Sequence, residues 1–382
     1  MKALVYTGPK RVKFQDVPDP VPEPGEALVE VEYVGICGSD MHAFLGHDER
    51  RPEPLILGHE AAGTILSGPR KGARVAVNPL VTCGVCEDCV DGRTNLCAAR
   101  QIISMPPREG AFAGLLRMPE ENLLDIPKNL SADRAVLTEP IACGWHAVNL
   151  AEKALRRPLA ASRAVVLGGG AIGLGAALVL AGRGTVDISI AETNEERRKT
   201  LRGAGAFKVY DPASDEGPEA GSAQLVIDAF GGPATRKSAS ALVRSGGVIV
   251  HIGLSVAEGG LNVRRMTLQE VTFIGAYTYT ALDFRETLTA IVSGGLGPLD
   301  WTEIRPLCDG QQAFTDIRRP DRVQNQSHTQ MEVNERRRFT VNAPPTATDD
   351  VATQLEKLEG LMNLGTLTKE EFDAQKARLL GS

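Results

Sequence analysis

The chain has 382 residues, too many for one small domain and enough for roughly two to three. It is 42% hydrophobic and 24% charged with a formal net charge of -6, ordinary for a globular protein and without the basic face that a nucleic acid needs. No apolar run approaches the ~20 residues that span a bilayer, and the opening MKALVYTGPKRVKF lacks the apolar stretch of a secretory signal, so a cytoplasmic protein without a membrane partner is expected.

In chain order, residues 1–155 carry short β-like runs punctuated by Gly and Pro, such as Ala27–Val34, Ala61–Ile65 and Ala73–Val77, and predict a mostly β, barrel-like domain. Residues 156–280 alternate strands (Ala164–Leu167, Asp187–Ala191, Leu225–Ala229, Gly247–Ile252) with helices (Ala171–Leu180, Glu195–Gly203, Ala234–Val243). That alternation predicts βαβ units and a doubly wound parallel sheet. Residues 281–318 add a helix, Asp283–Ser293, and a short amphipathic end, Gln311–Arg318. From 319 to 350 the sequence is polar and without period, which reads as a linker. Over 351–382, Val351, Leu355, Leu358 and Met362 line one helix face, Gly365 stops it, and Thr368 to Glu371 opens a second helix as a capping box. The fold class is therefore α/β with a C-terminal helical hairpin. That hairpin is too short to be stable by propensity alone, so pairing with another copy is expected, giving a homo-oligomer, a dimer or tetramer.

The strand Ala164–Leu167 runs into Gly168-Gly-Gly170-Ala-Ile172-Gly173 and then a helix. Context makes this G-x-G-x-x-G a dinucleotide motif. Gly168 permits the turn, Gly170 leaves room for a pyrophosphate, Gly173 lets helix and strand pack, and the helix N-terminus offers free N–H groups. Glu192, at the end of the next strand, can accept from the adenosine ribose and would repel a 2′-phosphate, so NAD is expected over NADP. Arg197 and Arg198 just downstream leave room for a phosphate.

Of seven cysteines, Cys83, Cys86, Cys89 and Cys97 form C-x2-C-x2-C-x7-C. Four thiolates at this spacing can close around one structural Zn²⁺ at about 2.3 Å per sulfur; two disulfides or an iron–sulfur cluster are the other readings. A second set is scattered: Gly35-Ile-Cys37-Gly-Ser39-Asp40-Met-His42, Gly58-His59-Glu60 and Thr138-Glu139-Pro140. One Cys, one His and one carboxylate from it can hold a catalytic zinc with a position open to substrate.

These motifs, in this order over residues 1 to about 318, resemble the zinc-containing medium-chain dehydrogenase/reductase family, nearest its sorbitol, L-idonate and threonine dehydrogenase relatives. The resemblance implies a GroES-like catalytic domain over 1–155, with a zinc lobe at 83–97, and a Rossmann domain over 156–280. It further implies two zinc ions, one catalytic and one structural, and an enzyme that passes hydride from a secondary alcohol or polyol to NAD+. Cys37 and His59 are then catalytic zinc ligands. Glu139, Glu60 or Cys143 completes the shell, and Cys143 is read more readily as a small buried apolar residue. Ser39 and His42 are the implied proton relay, and Asp40 either orients His59 or caps a turn. His47 reads as a solvated loop residue.

Two departures stand against the pattern. The family's closing strand, a Lys-Val-Val-Leu-like run, is not seen after Ile317, and Arg337–Asn342 is a poor substitute. The last hairpin resembles the module called SHOCT, thought to mediate association. A catalytically impaired NAD-binding protein with an assembly module, a threonine 3-dehydrogenase-like enzyme and a zinc-free reductase are the rival readings.

Overall fold

The computed structural model describes residues 1–214, 216–317 and 328–333, together with Lys369, Asp373 and Lys376. The chain divides into two compact units, Met1–Asn334 and Glu335–Ser382. In the second, the three described residues are helical, and the rest of the hairpin expected over 351–382 lies outside the described residues. Among the described residues no helix is long and apolar enough to cross a membrane.

The first unit is built on two large sheets. In one, the strands run Leu123–Asp125, Arg74–Val77, Glu60–Ile65, Glu26–Gly35, His328–Glu332, Thr302–Pro306, and Leu115–Pro119 also pairs with Glu26–Gly35. The sequence EALVEVEYVG makes Glu26–Gly35 the centre: it alternates acidic and apolar residues, and Val29, Val31 and Val34 are fully buried. One edge of this long strand is shared. Glu26 to Glu30 pair with Leu115–Pro119, and Tyr33 to Gly35 pair with His328–Glu332.

That second partner corrects the linker expected over 319–350, and with it the expectation that no closing strand exists. His328–Glu332 is a strand, buried along its whole length, parallel to Thr302–Pro306 and antiparallel to Glu26–Gly35. HTQME conceals it because a strand buried on both faces normally reads as an apolar run. Here only Met331 enters the core, and polar contacts serve two of the others: Gln330 Nε2 donates to the Asp133 carbonyl at 2.8 Å and Tyr33 Oη donates to Glu332 Oε1 at 3.4 Å.

The other sheet is wholly parallel, ordered Lys208–Tyr210, Asp187–Ala191, Arg163–Leu167, Ala223–Asp228, Val243–His251, Thr272–Gly275. The order reverses beside Arg163–Leu167, and the crevice at the carboxyl ends of strands flanking such a reversal is where dinucleotides bind. The helix Thr138–Ala154 packs on the helix Ala171–Gly182, which is apolar nearly all round. Their approach is close: a Cβ on Gly144 would lie 2.5 Å from the Ala176 nitrogen.

Candidate active site

A cleft of about 610 Å³ is lined from the mostly β side by Cys37, Ser39, His42, His59 and Glu60, and from the parallel sheet by Gly170, Ile172, Gly173 and Arg197. The two motif groups read from the sequence thus face one space.

Cys37 ends the turn after Glu26–Gly35 and stands at the N-terminus of the helix Gly38–Phe44, which carries Ser39, Asp40 and His42. Its thiol, one His59 ring nitrogen and one Glu60 oxygen all lie within 4.8 Å of one another. The Nδ1 side of His59 is occupied: Ser104 Oγ stands at 3.3 Å and Asp40 Oδ1 at 3.5 Å. Its Nε2 faces Ser39 Oγ at 3.3 Å. Asp40 serves both tasks weighed for it. Its carboxylate accepts from the Cys37 and Gly58 N–H groups at 3.0 and 3.1 Å while facing His59. Burial pushes the Asp40 carboxyl up, but His59, Arg51 and the Cys37 N–H outweigh that and hold it below its usual range.

Glu60 is fully buried and touches His328 Nε2 at 2.6 Å. The contact lacks hydrogen-bond alignment, and neither atom has another hydrogen-bond partner among the described residues. Glu139 does not join the three clustered donors. Its Oε1 accepts from Tyr279 Oη at 2.8 Å, and burial, with Glu60 adding to it and His59 opposing, pushes its carboxyl up to about 7. Cys143 is buried at the cleft wall on the same helix as Glu139, outside the donor group, and burial raises its thiol well above the ordinary range. His47 is exposed at the cleft rim.

These donors suit a borderline-soft divalent ion: one sulfur, one imidazole nitrogen and one carboxylate oxygen are a three-ligand set of the catalytic zinc type. The second set suits a closed site. Cys83, Cys86, Cys89 and Cys97 bring their sulfurs within 4.8 Å of one another, all unpaired as disulfides, with Cys83 and Cys97 at 3.6 Å. Backbone N–H groups of Val85 and Cys86 pull the Cys83 thiol down to about 6, favouring the thiolate a metal requires.

On the nucleotide side, Gly168 has φ of 99°, a conformation that only glycine adopts freely. A Cβ on Gly173 would lie 1.9 Å from the Gly168 carbonyl oxygen, whereas one on Gly170 would meet nothing within 4 Å. The first packs helix to turn and the second opens on free space. Glu192 Oε2 accepts from Gly169 N–H and Oε1 from Asn194 N–H, both at 2.9 Å, so this carboxylate also braces the glycine turn. The neighbouring arginines separate: Arg198 is tied to Asp211 and to the Glu192 carbonyl, while Arg197 lines the cleft with its Nε unpartnered.

Four residues at the site escaped the sequence reading: Arg51, Ser104, Tyr279 and His328. Each is a single residue on a loop or an unforeseen strand, and only Arg51, in the loop that precedes Gly58-His59-Glu60, lies near a motif in the chain.

Two family models match, the alcohol dehydrogenase GroES-like domain over residues 23–128 and the zinc-binding dehydrogenase model over 171–293. The sorbitol dehydrogenase of Bacillus subtilis is 33% identical over 73% of this chain and 82% of its own length. The L-galactonate-5-dehydrogenase of Escherichia coli is 31% identical over 77% and 88%. The crystal structure of an Escherichia coli oxidoreductase/dehydrogenase of unknown specificity superposes with a TM-score of 0.78 at 28% identity, covering 87% of this chain and 99% of that one.

Proposed function

The chain belongs to the zinc-containing medium-chain dehydrogenases, and from that premise we propose that it oxidises a secondary hydroxyl of a polyol to a ketone with NAD+. The observation that carries the reading is the convergence of Cys37, His59 and Glu60 on one wall of the cleft whose other wall is the glycine turn. Relatives named for sorbitol and L-galactonate support a polyhydroxy substrate.

In this reading Cys37, His59 and Glu60 hold the catalytic zinc. Held there, zinc supplies the Lewis acidity that makes an alcohol O–H acidic near neutral pH. Asp40 and Ser104 hold the imidazole from its Nδ1 side, leaving Nε2 to the metal. Ser39 accepts a hydrogen bond from the substrate hydroxyl as its proton leaves, and His42, one turn along the same helix, carries that proton toward solvent. Glu139, buried and anchored by Tyr279, stands behind the donors as a second carboxylate. Gly168, Gly170, Ile172 and Gly173 receive the pyrophosphate, and Glu192 takes the adenosine ribose, which favours NAD over NADP. Arg197 lies at the same end of the cleft and narrows that preference. Cys83, Cys86, Cys89 and Cys97 hold a second, structural zinc.

The test is NADH formation with sorbitol, xylitol, L-galactonate, 2,3-butanediol and L-threonine, with NAD+ and NADP+ in parallel, before and after chelation. Turnover of a polyol with NAD+, abolished by chelation, is the expected result. Turnover unaffected by metal removal, or confined to L-threonine, contradicts the reading. Self-association through 351–382 belongs to the same proposal, supported by the three-to-four spacing of Val351, Leu355, Leu358 and Met362 in the sequence. Removing 345–382 then lowers the mass in solution, and an unchanged oligomer removes the idea.

A further inference from the structure

The Arg51 side chain is 1% exposed yet forms part of the cleft wall. A guanidinium buried to this degree is costly unless its N–H groups are met. They are met by three residues, two of them serines. Nε donates to the Ser104 carbonyl at 3.0 Å, Nη1 to the Ser39 carbonyl at 3.3 Å and to Asp48 at 2.7 Å, and Nη2 reaches Ser39 Oγ at 3.5 Å. Asp48 is braced in turn by Arg50.

Ser39 and Ser104 are also the residues whose hydroxyls flank the His59 imidazole, one on each ring nitrogen, both at 3.3 Å. They come from distant parts of the chain. Ser39 is on the helix Gly38–Phe44, and Ser104 is in a turn at φ of 68°, a left-handed conformation that costs a non-glycine residue on the order of 1 kcal/mol. Such a backbone persists where its surroundings fix it, and the Arg51 Nε bond to its carbonyl is one of the fixings.

We propose that Arg51 is a positioning residue for proton removal: one planar fork ties the Ser39 backbone to that of Ser104, whose hydroxyl lies on the Nδ1 side of His59, so that the Ser39 hydroxyl stays where it meets the substrate. The inference rests on the reading of Ser39 as the hydroxyl that meets the substrate. The fork geometry matters more than the charge. Lysine offers donors from a single point and cannot reach both carbonyls and Asp48 at once.

The test is a double-mutant cycle on kcat with Arg51→Lys and Ser39→Ala, accompanied by zinc content and NADH affinity. Arg51→Lys lowers kcat roughly tenfold or more, as sub-ångström misplacement of a reacting group does, with NADH affinity and zinc per chain unchanged. In the Ser39→Ala background the same change costs under about twofold, because the group it positions is gone. Losses that simply multiply, a Ser39→Ala enzyme as fast as wild type, or loss of zinc or NADH affinity in step with kcat each overturn the proposal. Should Arg51→Lys not fold, Asp48→Asn loosens the outer end of the fork and enters the same cycle, with the same criteria. A wild-type protein that oxidises no alcohol removes both this proposal and the reading it rests on. An active wild type with an additive cycle removes this one alone.

Discussion

A Cβ built on Gly35 would lie 1.9 Å from Glu60 Oε2 and 2.5 Å from His328 Nε2. The glycine is the space into which a buried carboxylate and its imidazole partner fit. Carboxylate tips ordinarily swing away from such an intrusion, but Glu60 is 1% exposed and backed by His328, so it has nowhere to go. Gly35→Ala therefore displaces one of the three proposed zinc donors without touching the nucleotide end. The expected outcome is a fall in turnover of roughly tenfold to a hundredfold, the range for a disturbed metal surround, with NADH affinity unchanged. Turnover and zinc retention equal to wild type would show that Glu60 is not needed where it stands. Tyr279 and Ser104 serve Glu139 and His59 through single hydrogen bonds.

At the scale of elements, the helices Thr138–Ala154 and Ala281–Val292 are joined through Asp283. Its carboxylate takes His146 Nδ1 at 2.8 Å, the Thr280 N–H at 2.8 Å and Thr280 Oγ1 at 2.7 Å, closing a capping box. Burial pushes this carboxyl up, but His146 and Thr280 prevail and bring it down to about 2. The folded value lies below the unfolded one of about 3.9, so the stabilisation is complete above about pH 4 and is lost as pH falls through about 2. It amounts to about 2 kcal/mol. Asp283→Asn should lower the unfolding free energy by that order at pH 7, and the gap between variant and wild type should narrow between about pH 4 and pH 2. Denaturant titrations over that range measure it, and a gap independent of pH would show that the Asp283 carboxylate is not held by His146 and Thr280. The elements most legible in the sequence are those whose side chains follow a period. Glu26–Gly35 alternates, Asp187–Ala191 falls where apolar residues and turns put it, and the glycine motif announces its own turn. His328–Glu332 was not legible, because its burial is met by polar partners from Asp133, Tyr33 and Glu60 that local pattern cannot reveal. The donors Cys37, His59 and Glu60 were legible as motifs. Their separation from Glu139 was not, since it depends on Tyr279 reaching across from after the last Rossmann strand.

At the scale of the whole first unit, the chain leaves the mostly β sheet, builds the parallel sheet, and returns to place Thr302–Pro306 and His328–Glu332 beside the strand that delivers Cys37. The return strand covers an otherwise unpaired edge at Tyr33 to Gly35 and brings His328 to Glu60. Folding of the metal wall is thereby tied to completion of the chain's path through the nucleotide sheet. In the proposed function, Cys37, His59 and Glu60 grip a zinc ion in front of a bound dinucleotide. Zinc counting on folded wild type and on Cys37→Ser tests it most directly. About two ions per chain in wild type and about one in the variant, with NADH binding kept and polyol oxidation lost, is the result predicted. Equal zinc in both proteins, or a wild type that oxidises polyols while carrying metal only at the four-cysteine lobe, would contradict it.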